Sequence, residues 1–263
     1  DLLFITQPAV TKRIHSLEEY FGVKLFESSG RGVKATHAAH SLLPKVKNWL
    51  NELGDIHHTL SHEQTQVQGK LKIGTSHHIG LHHLPSHLRH YVQTFPNVTL
   101  DVHFVDSEQA HEKVLAGDLE LAFLTLPPHG EDRLNYVTLW DDPLVFVAAP
   151  FHPLANQHNL QLEDLIQYPS LLPAAQTYTS QITLAEFEKR GLKPKITMSN
   201  NPLESIRMLA SIGLGWSVLP KTLLNPDLQQ LDIPFEMHRQ LGMVWHPART
   251  QSKAVLELIK MMT

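Results

Sequence analysis

No cysteine occurs in the chain, so disulfide frameworks, thiolate nucleophiles and cysteine-held metals are excluded before any pattern is read. No apolar run approaches the roughly 20 residues that span a bilayer, so a membrane is not among the expected partners. The first residues, DLLFITQPAV, carry neither a basic leader nor a small-residue cleavage site, and the expected compartment is the cytoplasm. Glycine is too sparse for two common enzyme sites. Residues 74–78, GTSHH, lack the second glycine of a nucleophile elbow, and Gly213-Leu-Gly215 is too short for a dinucleotide loop. No catalytic residue, cofactor or metal-ligand set is assigned, and the chain is not expected to be an enzyme.

What is present is an ordinary soluble composition of 263 residues, 42% hydrophobic and 18% charged, long enough for two domains. Charge is unevenly placed. Residues 1–50 hold seven Lys/Arg against four acids, a net of +3, so the remainder of a chain of net −4 carries −7. A basic head on an acidic body suits a phosphate-facing head. The chain opens on Asp1 in mid-pattern, and further head residues are expected before it.

Within the head, Thr6 can cap a helix and Gln7-Pro8 suits a first turn, where proline forfeits no bond. Ala9, Val10, Ile14 and Leu17 then recur at helical spacing, predicting a helix from about Pro8 to Phe21 that stops at Gly22. Its other face carries Gln7, Thr11, Lys12 and His15, groups able to meet base edges and phosphates in a major groove. The following VKLFESSGRGVKAT alternates and turns through Ser28-Ser29-Gly30, as a two-stranded wing does, with Arg31 at its tip. From the pattern alone, a DNA-reading head and a helix-plus-hairpin with a merely solvated polar face both stand.

The residues QPAVTKRIHSLEEYFGVKLFESSGRGVKAT resemble the winged helix-turn-helix signature of LysR-type transcriptional regulators. That resemblance implies DNA contact by Thr6, Gln7, Pro8, Thr11 and Lys12, with Arg31 as the wing arginine. Ser28 departs from the family pattern, standing where a first wing arginine is usual.

From Thr36 onward Leu42, Val46, Trp49, Leu53, Ile56 and Leu60 follow a 4-3-4-3-4 spacing, a heptad seam. The seam asks for a second helix; a lone amphipathic helix packed on its own body is the alternative, and Pro44 and Gly54 favour it. The family resemblance implies that this linker is the dimerisation element, and two recognition helices held by a two-fold axis would read a pseudo-palindromic double-stranded operator; whether dimers pair further into tetramers the residues leave open. A polar hinge over 61–68 closes the segment. The expected domains are therefore an incomplete winged head over 1–35, a linker and hinge over 36–68, and an α/β body over 69–263.

Strands at 70–74, 98–105 and 119–124 alternate with helices, as in a parallel α/β unit. The helix after the first strand carries Leu84, Leu88, Tyr91, Val92 and Phe95 on one face. Strands at 134–140 and 144–149 follow, then a second unit with strands near 170–173, 195–198 and 216–219. A late strand at 242–245 returns to the first unit. This predicts two lobes, one over about 69–147 and 243–263 and the other over about 148–242, like solute-binding proteins that close around a ligand.

Ligands in such folds lie at the carboxyl ends of parallel strands, where helix N-termini offer free N–H groups. That rule selects Thr75, Ser76 and His77, then Asp106 and Ser107, then Thr125, and in the second unit Gln176, Thr177, Ser199, Asn200 and Asn201. Helix capping alone would also account for each group. The body resembles the LysR-type effector-binding domain, down to GLGWSVLP at Gly213 to Pro220, and the resemblance implies that these positions form the cleft for a small-molecule effector.

Nineteen histidines are many, and six lie between His77 and His90. On an unbroken helix His83, His87 and His90 would share a flank at metal-binding spacing, while a merely solvated flank is the bland alternative. His77 and His78 sit instead at a strand end, where a histidine can meet an anionic effector. The leading expectation is a dimeric regulator controlled by a small, anionic effector. Its rivals are a solute-binding protein or enzyme on the same body, and a histidine-based metal-responsive regulator.

Overall fold

Thr6 holds the extended backbone of an N-cap, Pro8 stands in the first turn, and Gly22 adopts φ +67°; between them runs helix α1, Gln7–Phe21. In this computed structural model the described residues are 5–30, 32–43, 45–46, 49–50, 53, 67–128, 130, 132–199 and 202–263. Strands β1 (Phe26–Ser29) and β2 (Gly32–Ala35) pair antiparallel with Ser29 opposite Gly32, which is the expected wing. Glu18 ties helix to wing. Its carboxylate accepts from the backbone N–H of Leu25 (2.7 Å) and Phe26 (3.1 Å) and from Lys24 Nζ (2.8 Å), and these donors hold its pKa down at about 2. A helix α2 follows over 37–43, with helical backbone again at 45–46, 49–50 and 53. Leu42 of the heptad seam falls on α2, and Val46, Trp49 and Leu53 fall on the later helical positions; Ile56 and Leu60 lie outside the described residues.

Contacts divide the chain into Asp1–Ile56 and His57–Thr263. The second unit is built on a nine-stranded sheet whose strands lie in the spatial order Val98–Phe104, Gly69–Thr75, Leu121–Thr125, Met237–Trp245, Asn135–Ala148, Trp216–Pro220, Pro169–Leu172 and Lys195–Ser199, with Gln229–Gln230 paired to Asn135–Ala148. Its first half comprises β3 (Gly69–Thr75), α3 (His77–His82), α4 (Pro85–Thr94), β4 (Val98–Phe104), α5 (Ser107–Ala116) and β5 (Leu121–Thr125). The three strands run parallel, as the alternation predicts. Along β5, Leu121 and Phe123 enter one core with Ile73, Tyr91 and Leu258, while Ala122 and Leu124 enter another with Ala110 and Val114. Both faces are covered, which is why β5 reads as a continuous apolar run and not as an alternation.

The second half holds α6 (Leu162–Leu165), β7 (Pro169–Leu172), α7 (Tyr178–Glu188), β8 (Lys195–Ser199), α8 (Leu203–Ser211), β9 (Trp216–Pro220) and β10 (Gln229–Gln230). Trp216 is its anchor: fully buried, stacked 5.7 Å from Phe187, and donating through Nε1 to the Leu165 carbonyl at 2.8 Å.

Two details differ from expectation. The strands foreseen at 134–140 and 144–149 are one 14-residue strand, β6 (Asn135–Ala148), continuous through Pro143. It pairs with β11 (Met237–Trp245) in the first lobe and with β9 in the second, so β6 and β11 are themselves the crossings. The helix after β3 is also broken: α3 ends at His82 and α4 starts at Pro85, which has no N–H to continue the α3 ladder. Helix α9 (Lys253–Met262) closes the first lobe, where Tyr91 donates to the Ala254 carbonyl at 2.7 Å.

Candidate functional site

In the head, Gln7, Pro8, Thr11, Lys12, His15, Ser16 and Glu19 line one open groove along α1. Helical spacing alone puts them there, and Thr6, Gln7, Pro8, Thr11 and Lys12 are all exposed. Thr6 occupies the N-cap position without a side-chain capping bond, and the Thr11 hydroxyl donates to the Gln7 carbonyl at 3.1 Å. Arg31 lies outside the described residues.

In the body, a cavity of about 50 Å³ opens between the two lobes. Ser76, His77, His78, Asp106, Ser107, Glu108 and Thr125 line it from the first lobe; Pro173, Thr177, Thr179, Pro202 and Leu203 line it from the second; Arg239 enters from the crossing strand β11. Six of the positions selected by the strand-end rule thus meet: Ser76, His77, Asp106, Ser107, Thr125 and Thr177. The capping alternative is also realised. Ser76 Oγ accepts from Ile79 N, Thr177 Oγ1 accepts from Ser180 N, and Ser107 Oγ accepts from Thr125 N at 3.0 Å, so these hydroxyls shape the cavity while holding its walls. Thr75 is buried behind the wall and donates to the Ser76 carbonyl. Gln176 and Ser199 are exposed and do not line the cavity. Asn200 and Asn201 lie outside the described residues.

Sequence reasoning missed the centre of the site. Arg239 is 4% exposed and Asp142 1%, and they stand directly opposite each other on β11 and β6. Arg239 Nε donates to Asp142 Oδ2 at 2.8 Å, and Nη1 donates to Thr179 Oγ1 at 2.7 Å. Nη2 also lies 2.8 Å from Oδ2 but outside hydrogen-bonding geometry, so its N–H groups have no acceptor among the described residues. Burial lowers the Arg239 pKa from its ordinary value; a guanidinium starts so high that the side chain stays charged. Asp142, despite burial, is held below the usual carboxylate range by His78 and Arg239.

His78 Nε2 lies 3.5 Å from Asp142 Oδ2 and 3.5 Å from Thr222 Oγ1 in the second lobe. Its pKa is pushed down, chiefly by burial, so the ring is neutral near pH 7. A second contact joins the lobes: the Tyr178 backbone N–H, in the first turn of α7, donates to Glu108 Oε1 on α5. Burial raises the Glu108 pKa. One signal could have found Arg239 and Asp142. Each keeps step with buried apolar neighbours at alternate positions, Met237 and Leu241 for the arginine, Leu144 and Phe146 for the aspartate. The flank of His83, His87 and His90 does not assemble; His83 and His87 lie against Trp140 instead.

Among the described residues no helix is long and apolar enough to cross a membrane. The family model described as "LysR substrate binding domain" matches residues 64–263, and the one described as "Bacterial regulatory helix-turn-helix protein, lysR family" matches residues 1–40. The uncharacterized HTH-type transcriptional regulator YybE of Bacillus subtilis (strain 168) is 27% identical over 257 residues, covering 94% of this chain and 85% of its own. The HTH-type transcriptional activator CmpR of Synechocystis sp. is 28% identical over 244 residues, covering 90% and 80%. Among solved structures, a full-length OxyR variant from Pseudomonas aeruginosa superposes with a TM-score of 0.71 at 21% identity, covering 98% of this chain and 86% of that one. The effector-binding domain of QuiR in complex with shikimate gives 0.68 at 18% identity, covering 74% and 95%. YybE and CmpR are named as transcriptional regulators, and with both family models matched, the chain belongs to the LysR family of DNA-binding transcriptional regulators, with a helix-turn-helix head and an effector-binding body.

Proposed function

We propose that the chain works in the cytoplasm as a homodimer, or as paired dimers, on a pseudo-palindromic operator, and that a small organic anion bound between the lobes sets its state. Thr6, Gln7, Pro8, Thr11, Lys12 and Arg31 meet the DNA, the exposed polar face of α1 lying in the major groove.

The observation that carries the effector reading is the convergence on one cavity of a buried arginine and the N-termini of α5, α7 and α8. Helix N-terminal N–H groups and dipoles favour negative charge there, as the Glu108 carboxylate on the Tyr178 N–H illustrates, and Arg239 Nη2 has donors to give. Ser76, His77, Ser107, Thr125 and Thr177 supply hydroxyl and imidazole contacts, and Thr75 stands buried behind them. Shikimate, the compound bound by the QuiR domain, is a carboxylate and belongs to the chemical class proposed.

A cavity of about 50 Å³ has room for only a few waters. The lobes must therefore part for the effector to enter, and Glu108 must yield the Tyr178 N–H or share it. Only a ligand with unequal affinity for the two arrangements shifts their balance. The test is a thermal-shift screen of the full chain with shikimate and other small carboxylates beside their methyl esters. Acids should raise Tm and esters should not, and Ser76→Ala should weaken the acids several-fold. Esters binding as well as acids would overturn the reading.

A further inference from the structure

Beside the cavity, His78, His82 and Glu204 each place one ligand atom within 4.8 Å of the others. His78 and His82 stand at i and i+4 on α3 of the first lobe, with ring centroids 5.1 Å apart; Glu204 lies in the first turn of α8 in the second lobe. His82 Nε2 and Glu204 Oε1 are 3.8 Å apart. That is too long for a hydrogen bond and near the roughly 3.3 Å that separates two ligands on a tetrahedral ion with bonds of about 2 Å.

Two of the three residues also hold a buried polar atom with nothing to bind. His78, only 3% exposed, has Nδ1 without a hydrogen-bond partner among the described residues, and Glu204 Oε1 is in the same position. The other nitrogen of His78, Nε2, faces the Asp142 carboxylate at 3.5 Å. A carboxylate behind one ring nitrogen and a bare lone pair on the other is the arrangement that orients a metal-bound histidine.

We infer that His78, His82 and Glu204 form a site for a divalent transition metal of the zinc, nickel or copper class, which pins the first lobe to the second beside the effector cavity. Two imidazoles and one carboxylate supply three ligands and leave a fourth position for solvent or an anion. The charges agree. Asp142 and Glu204 set two carboxylates against the one guanidinium of Arg239, which leaves negative charge for a cation. The neighbouring trio His78, His83 and Asp142 is equally close, but the Asp142 oxygen there is already held by Arg239 at 2.8 Å, so an ion would have to displace a guanidinium. The site is not the His83, His87 and His90 flank that spacing singled out.

The experiment uses the full chain, stripped with chelator, titrated with Zn²⁺ against a chromogenic competitor and with Co²⁺ by visible absorption. One tight equivalent per chain is expected, with the intense Co²⁺ bands of a tetrahedral site. His82→Ala and Glu204→Gln should each lower Zn²⁺ affinity by about 10- to 100-fold. Both positions are partly exposed, so the variants should fold, which circular dichroism checks. His87→Ala and His90→Ala should leave the tight equivalent intact. Zn²⁺ should raise the Tm of the parent chain but not of Glu204→Gln. No tight equivalent, or one that survives both His82→Ala and Glu204→Gln, overturns the site. Carboxylate binding measured on the stripped chain tests the effector reading separately.

Discussion

Replacing Arg239 with methionine should cost far more stability than the loss of a surface arginine would. Arg239 and Asp142 are 4% and 1% exposed, and among the described residues the carboxylate left behind would face His78, at 3.5 Å. Removing one member of a buried, hydrogen-bonded ion pair typically costs about 3–5 kcal/mol, because the survivor is a desolvated, uncompensated charge. Asp142→Leu should cost a similar amount from the other side. The double variant Arg239→Met/Asp142→Leu removes both charges and fills the space with apolar groups, so it should sit near the parent, giving a coupling of at least about 3 kcal/mol. Urea unfolding followed by far-UV circular dichroism at pH 7 reads all four proteins. With a slope of about 3 kcal/mol/M, each single variant should lose at least about 1 M in midpoint. An Arg239→Met protein within about 1 kcal/mol of the parent, or a double variant as unstable as the two singles together, would refute the account. The double variant also separates fold from binding. Its Tm should recover, and its response to carboxylates should not.

The head makes its own prediction: Lys12→Ala should weaken operator binding across sequences and lower the salt slope by about 1, and a fluorescence-anisotropy salt titration with an unchanged slope would remove Lys12 from the phosphate contacts. Gly215→Ala should destabilise the second lobe by at least about 1–3 kcal/mol, because a Cβ there would collide with the Pro169 carbonyl oxygen, and backbone cannot swing aside as a flexible side chain can; thermal melting reads the loss. His78, His83 and His152 all have pKa values lowered by burial. A depressed folded-state value means that the unfolded chain binds more protons, so their contribution is present above about pH 6.5 and is lost as pH falls below it through the folded-state values; in urea midpoints taken from about pH 7.5 down to 5, His152→Gln should flatten this decline. Glu18 acts lower, between the ordinary Glu value and about 2, where protonation should release the helix from the wing, a transition visible to NMR of the Leu25 amide.

Local physics was legible in the sequence and long-range pairing was not. Helix α1 and its glycine stop, the wing, and the parallel strands of the first lobe all follow from spacing, caps and turn residues within a few positions of each other. The same rules failed at Pro85, where the apolar stripe of Leu84, Leu88 and Tyr91 runs on across a break that only the missing N–H of proline reveals. They failed again at Asp141-Asp142-Pro143, which looks like a turn between two strands. The strand continues because Asp142 is answered by Arg239, 97 residues away, and the ladder accommodates Pro143 opposite His238. A charge read alone is a surface charge, and only its partner makes it a core residue. The cavity follows the same division. Ser76, Asp106, Ser107, Thr125 and Thr177 were found because strand ends are a local signal; Arg239, Glu108 and Thr179 were not, since an arginine inside a strand and polar groups inside helices carry no such mark.

That distribution bears on how the body could act as a switch. The buried ion pair lies on β6 and β11, the two strands shared by both lobes, while the contacts between the lobes across the cavity include two polar latches, Tyr178 N–H to Glu108 and Thr222 to His78 at 3.5 Å. The crossings are fixed by full ladders and by Arg239 with Asp142, so opening must break the latches and leave the strands paired. Glu108 is then more than a lining residue. Its carboxylate already occupies the α7 N-terminus that an anionic effector would seek, standing in for the ligand while the cavity is closed. Glu108→Gln keeps the shape, removes that charge and weakens the latch. It should raise carboxylate affinity several-fold and make the effect of acids less dependent on pH near the raised Glu108 pKa. A Glu108→Gln protein that binds shikimate and its relatives more weakly than the parent would show instead that the carboxylate helps to hold the ligand and does not compete with it.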